Sequence, residues 1–179
     1  MVAAVVLAAG EGSRFGGAKQ AALLPHVLRR VRAASTVDDV IVDAMMAHAV
    51  RNPQRFDVIV TTNMYGDILS DLTAELSGSL GLAASLNAGT SHAMAQAAHG
   101  SAPDIAGKNV ANPLSLVLSV AMLLAWHGRR KKANAFQAAA AAIEKAVEAA
   151  IGAKESTGDI RGRLGTRETG EAVVARLRA

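Results

Sequence analysis

Short unbroken apolar runs alternate along the chain with longer segments whose apolar positions recur every three or four residues. That is the pattern of buried strands and the helices laid against them. Val2 to Leu7 predicts a first strand, followed by a glycine-rich turn over Ala9 to Gly17. Ala21 to Ala34 carries Leu24, Val27, Leu28 and Val31 at helical spacing, and Val37 to Val42 predicts a second strand. A β-α-β start favours parallel pairing through a right-handed crossover. Asp43 to Val50 predicts a helix stopped by Asn52-Pro53. Phe56 to Thr62, rich in β-branched residues, predicts a strand buried on both faces, and Gly66 to Leu76 a further helix.

The second half is patterned differently. Ser77 to Gly89 is rich in Gly, Ser and Ala, and Ala93 to Ala98 is too alanine-rich to assign. His99 to Asn112 contains Gly100, Pro103 and Gly107 and predicts a loop. Asn112-Pro113 predicts a helix start, since Asn can cap free amides and Pro is tolerated in the first turn. That helix is expected to run to about His127. A second, from Ala133 to Ile151, places Phe136, Ile143, Val147 and Ile151 on one stripe, and Thr169 to Leu177 predicts a short docking helix. The expectation is an α/β fold, a parallel or mixed sheet flanked by helices.

Composition narrows the function classes. At 179 residues and 51% hydrophobic the chain is globular, long enough to bury roughly 70% of its unfolded surface around one core. No run reaches the roughly 20 apolar residues of a membrane span. The richest, Leu114 to Trp126, is interrupted by Ser115 and Ser119 and predicts a buried helix. Met1 to Leu7 lacks the basic lead of a signal sequence and predicts a strand. Cysteine is absent, which fits a reducing cytoplasm. The net charge is +4 with acids interspersed and aromatics are 3% of the chain, so nucleic-acid binding is not favoured. Arg129-Arg130-Lys131-Lys132 reads as a solvated turn complementing a helix carboxy terminus.

Three segments carry candidate chemistry. Gly10-Glu11-Gly12-Ser13-Arg14-Phe15-Gly16-Gly17-Ala18-Lys19 follows a strand. Its glycines would let backbone amides reach phosphate oxygens, with Arg14 and Lys19 as counter-charge; a tight strand-helix turn is the plainer reading. Asp67 and Asp71 are four apart, so on a helix they share a face. A hard divalent cation such as Mg²⁺ or Mn²⁺ would neutralise them; alternatively Asp67 favours the helix amino end and Asp71 faces solvent. His99-Gly100-Ser101-Ala102-Pro103-Asp104-Ile105-Ala106-Gly107-Lys108-Asn109-Val110-Ala111-Asn112-Pro113 reads as an ordered loop. It is either capped and inert or suited to a polar ligand.

Two resemblances follow from these strings. The glycine-rich start, about residues 1–42, resembles the nucleotide-binding signature of sugar and cofactor nucleotidyltransferases. Residues 43–179 resemble the carboxy-terminal part of the isopropylmalate and isocitrate dehydrogenase family. That likeness is carried by Val42 to His48, Asn52 to Val60, Asn63 to Asp71, His99 to Pro113, Thr157-Gly158-Asp159-Ile160 and Gly165-Thr166. It implies a partial isopropylmalate-dehydrogenase-like fold after a β-α-β unit, an arrangement that reads as a chimera.

The second resemblance implies a decarboxylating dehydrogenase that oxidises a small 2-hydroxy acid of the isopropylmalate, isocitrate, malate or tartrate type. NAD and Mg²⁺ or Mn²⁺ would serve as cofactors. It makes Asp67 and Asp71 metal ligands, with Asp43 reaching the metal of a partner subunit, so a homodimer is expected. It makes His99, Gly100, Ser101, Ala102, Pro103, Asp104, Ile105 and Asn112 the NAD-binding positions. His99 and Asn112 would lie on the adenine side and Asp104 would accept the adenosine ribose hydroxyls. A carboxylate there repels a 2′-phosphate, which favours NAD over NADP. His48 reads as structural.

Gln96 stands where family members often carry glutamate, and Ala84 where proline is common, as in a divergent branch. The lysine and tyrosine that move protons in the family, and the arginines that clamp substrate carboxylates, belong to upstream motifs that residues 1–42 do not match. No catalytic residue is therefore assigned, and turnover is expected at background. Three readings stand at this point: a dehydrogenase part keeping its NAD loop and metal aspartates, a nucleotidyltransferase-like binding module, and a catalytically silent fusion.

Overall fold

The computed structural model describes residues 2–6 and 36–178. The glycine-rich turn, Arg14, Lys19 and the helix expected over Ala21 to Ala34 lie outside the described residues. The chain divides into two compact units, Met1–Leu76 and Ser77–Ala179.

In the first unit, strands β1 (Val2–Val6), β2 (Thr36–Val40) and β3 (Val58–Val60) form a parallel sheet in the order β2-β1-β3. Val2 pairs with Thr36 and Val6 with Val40 on one side, and Ala3 with Val58 and Val5 with Val60 on the other. Parallel pairing of β1 with β2 is what the predicted β-α-β start requires. β3 is half-buried rather than covered on both faces, with Val58 47% exposed, and it pairs only with β1 among the described strands.

Helices α1 (Val42–Arg51) and α2 (Asn63–Leu76) accompany this sheet. Met45, Ala49 and Leu69 make the buried core, with Val40, Phe56, Ile59 and Leu72 packed on it. α2 begins three residues before the predicted Gly66. Gly66 is a poor helix former, yet its amide donates to Thr62 O and Asn63 Nδ2 reaches Asp67 Oδ2 across one turn, at 2.8 and 3.1 Å. These bonds carry the helix through the glycine. His48 is half-buried with its ring 6.1 Å from that of Phe56, as a structural histidine would be.

The second unit resolves the alanine-rich stretch that pattern alone left open. β4 (Ala84–Ala88) and β5 (Ala93–Ala97) form an antiparallel pair, Ser85 opposite Gln96. They pack on α3 (Leu114–Lys131), which hairpins back into α4 (Asn134–Gly152), and α5 (Thr166–Arg178) closes on α4. Leu114, Ala146, Val147, Ala150 and Val173 form the core, supported by Ile143, Ile151 and Ile160.

The two serines that interrupt α3 are fully buried. Ser119 Oγ accepts from Ser85 N at 3.0 Å and lies 2.7 Å from Gln96 O. Ser115 Oγ accepts from Ala98 N at 3.2 Å and donates to Ala83 O. One helical turn, Ser115 to Ser119, thus matches a two-residue step along each strand, so a polar stripe in an apolar helix satisfies strand backbone.

Two expectations are corrected here. Phe136 is 41% exposed and does not join the α4 core stripe; its ring meets His127 edge-on at 4.8 Å across the α3–α4 hairpin. The basic run does not follow α3. Arg129, Arg130 and Lys131 form its last turn, where cations complement the helix dipole, and Lys132 turns the chain at φ 52°. The helix continues through Gly128, where a Cβ would come within 2.8 Å of Gln137 Cγ, so only glycine lets the two helices approach this closely.

Candidate functional site

The loop from His99 to Asn112 borders a cleft of about 700 Å³ in the second unit. Six of the eight residues expected to hold a dinucleotide line it: His99, Gly100, Ser101, Ala102, Ile105 and Asn112. Pro103 and Asp104 lie in the loop's single 3-10 turn, Pro103–Ile105, outside the lining, and Asp104 is exposed. The turn is entered through Ala102 at φ 41°, a left-handed conformation that non-glycine residues rarely adopt. A 3.1 Å bond from Ile105 N to Ala102 O closes it. His99 Nδ1 sits 3.0 Å from Gly100 O.

Two groups of bonds hold the cleft walls. The first centres on Asp159. Its Oδ2 accepts from Ser79 Oγ at 2.5 Å and Asn112 Nδ2 at 2.9 Å, and its Oδ1 from Thr157 Oγ1 at 2.5 Å. Burial pushes the Asp159 carboxyl up, but these hydrogen bonds outweigh it and hold the group below the ordinary aspartate range. Asn112 is committed on both sides of its amide, because Oδ1 accepts from Leu114 N at 3.0 Å and so caps α3 as expected. Gly81 threads between these groups: a Cβ on it would stand 2.6 Å from Asn112 Cβ and 2.9 Å from Asp159 Oδ2.

The second group fixes the far end of the loop to the start of α5. Asn109, at φ 55°, accepts from Thr166 N through its carbonyl and from Arg167 N through Oδ1, both at 3.0 Å. Its Nδ2 donates to Glu168 Oε2 at 2.9 Å, and Thr166 Oγ1 donates to Ala111 O at 2.5 Å. The Glu168 carboxyl is held below its usual range by its own backbone N–H first and by Asn109 second. A smaller cleft of about 420 Å³ lies on the other side of Asn109, Val110 and Asp159, which line both spaces.

The aspartates expected to hold a metal are in the first unit. Asp67 and Asp71 lie one turn apart on α2, both exposed, and Asp67 Oδ2 already accepts from Asn63. Asp43 sits in the first turn of α1, where its Oδ1 accepts from Ala44 N at 2.7 Å. Among the described residues no three His, Cys, Asp or Glu side chains come together as a metal site. One copy of the chain therefore offers a pair of carboxylates on one helix and a separate third, and no closed cage.

Pattern reading missed Ser79, Gly81, Asn109 and Thr166 as wall-forming residues. Their partners are up to 80 residues away in sequence, where spacing carries no signal. The strings Thr157 to Ile160 and Gly165-Thr166 were the available clue, and they prove to be the segments that face the loop.

The profile of the isocitrate/isopropylmalate dehydrogenase family matches residues 24–173. The chain belongs to this family. It is similar to a homoisocitrate dehydrogenase of Methanocaldococcus jannaschii, 43% identical over 141 residues, which make up 79% of this chain and 39% of that protein. An isocitrate/homoisocitrate dehydrogenase of Thermus thermophilus is 48% identical over 143 residues, 80% of this chain and 41% of that one. Among solved structures, the isocitrate dehydrogenase from Methylococcus capsulatus superposes with a TM-score of 0.80 at 38% identity, covering 99% of this chain and 50% of that one. The chain thus spans about two-fifths of the curated relatives it matches. The family match begins at residue 24, ahead of the residue 43 at which the resemblance starts in the sequence. No helix among the described residues is long and apolar enough to cross a membrane.

Proposed function

We propose that the cleft beside the His99–Asn112 loop binds the adenosine half of NAD, within an oxidative decarboxylating dehydrogenase acting on a small 2-hydroxy acid. The observation that supports this best is the meeting of six expected cofactor residues around one cleft of about 700 Å³. That volume lies within the range of small-molecule sites. The walls are mainly apolar, as an adenine ring requires, and the polar groups that converge there are held by fixed bonds. Asp104 is exposed between the lining positions Ala102 and Ile105, where its carboxylate can accept ribose hydroxyls and would repel a 2′-phosphate.

When bound, NAD supplies the hydride acceptor. The chain's own residues bind and orient the adenosine end, and no proton-transfer residue is assigned within the described structure. For the metal, the fit is partial: Asp67 and Asp71 offer two oxygen ligands, suited to Mg²⁺ or Mn²⁺, and Asp43 is read as reaching the site of a second copy. No step is routed through the metal. Homodimer formation and cytoplasmic residence belong to the same proposal.

Calorimetric titration tests it. NAD and AMP are expected to bind, NADP to bind more weakly, and nicotinamide mononucleotide not to bind measurably. Binding of CTP or GTP in place of NAD would instead move the function to Gly10 to Lys19 and the nucleotidyltransferase-like reading. Absence of both NAD and AMP binding would overturn the cleft assignment.

A further inference from the structure

We propose that Asn109 and Glu168 form a staple that holds the cofactor loop in its binding position, making Asn109 a positioning residue for the adenosine cleft. This rests on the reading of that cleft as the adenosine site. The side chain and carbonyl of Asn109 are engaged at every polar atom, by Thr166 N, Arg167 N and Glu168 Oε2. The amino end of α5, whose free N–H groups would otherwise be open to an anionic ligand, is filled by the loop itself. The contact is closely fitted, because a Cβ on Gly165 would stand 2.2 Å from Asn109 Nδ2 and 2.5 Å from Glu168 Oε2.

Location gives the staple its consequence. Asn109 and Val110 line both clefts together with Asp159, so they form part of the wall of the larger one. Of the four hydrogen bonds described above between the loop and α5, all but that of Thr166 Oγ1 to Ala111 O pass through Asn109. The residues from Ala106 to Ala111 are all exposed, Val110 by 51%. A ligand binding to an unstapled loop would have to order it first, and that ordering weakens affinity.

The donor and acceptor of the staple can be exchanged, and this makes the test specific. N109D places a carboxylate against Glu168 and removes the only donor between them. In N109D/E168Q the glutamine amide donates back to the new aspartate, while the other aspartate oxygen still accepts from Arg167 N. E168Q alone completes the cycle. The readouts are NAD affinity by calorimetry and amide hydrogen exchange of residues 105–112 without ligand, with circular dichroism confirming that each variant is folded. N109D is expected to weaken NAD binding about tenfold and to speed exchange in the loop, and N109D/E168Q to restore both. Faster exchange in N109D with unchanged affinity would overturn the positioning role, and a double variant as impaired as N109D would overturn the staple itself, both leaving the adenosine cleft intact. If the unaltered protein binds neither NAD nor AMP, the cleft reading fails and the positioning role fails with it. The exchange data then show only whether the loop is fastened.

Discussion

Asp159 shows how a single carboxylate can organise a cleft without lying in the loop that names it. Three donors from Ser79, Asn112 and Thr157 converge on its two oxygens. Because they hold its pKa below the unfolded value, the unfolded chain binds the extra proton first as pH falls. The stabilisation is complete above the unfolded aspartate pKa and is lost as pH falls through the folded one. D159N is therefore expected to flatten the acid limb of a stability-versus-pH curve from urea unfolding. Glu168, also lowered, keeps part of the slope. Identical acid limbs for the two proteins would show that these bonds contribute nothing. Gly81 makes the complementary steric prediction. Since a Cβ there meets Asn112 Cβ at 2.6 Å, G81A is expected to cost about 1–3 kcal/mol, the usual range for overpacking. It should also weaken AMP binding, both measurable on one preparation. Wild-type stability together with wild-type affinity would mean that the wall yields freely.

At the scale of elements, α3 explains what was legible in the sequence and what was not. Its start at Asn112-Pro113, its apolar length and the loop before it could be read from capping chemistry and breakers alone. The strands β4 and β5 could not, because Ala, Ser, Asn and Gln have no strong strand preference. They pair with each other and lie on a helix whose Ser115 and Ser119 bond the backbone at Ala83, Ser85, Gln96 and Ala98, contacts between residues far apart in sequence. Helix boundaries shifted where glycine was read as an end. Gly66 and Gly128 both lie inside helices, each kept there by a contact pattern cannot show. The loop from His99 to Asn112 was legible as a family string, whereas its supports at Ser79, Gly81 and Asn109 were not. S119A removes a buried hydroxyl that adds a bond at Ser85 N in one strand and at Gln96 O in the other. The expected loss is about 0.5–1.5 kcal/mol, read as a lower urea midpoint with faster amide exchange in β4 and β5. Unchanged exchange there would show that the strands stand without the helix serines.

At the scale of the molecule, the cleft beside the His99–Asn112 loop and the aspartates occupy different compact units, and the aspartates do not close into a cage within one copy. Two exposed carboxylates one turn apart bind a divalent cation weakly, since Mg²⁺ wants near-octahedral oxygen ligation. If Asp43 of a second copy completes the set, metal affinity and association are linked: each should strengthen the other. Mn²⁺ would then raise the dimer fraction seen by sedimentation, and D43N and D67N would each lose that response. Mixing the two variants decides the matter. In a mixed dimer, one site joins Asp67 and Asp71 from the D43N copy with Asp43 from the D67N copy and is whole, while the other lacks both. The mixture should recover Mn²⁺ binding at up to half of the sites in each mixed dimer, whereas neither variant alone recovers any. A mixture that behaves as the sum of its parts would place Asp43 outside the metal's reach, leaving Asp67 and Asp71 as an ordinary solvated pair on α2.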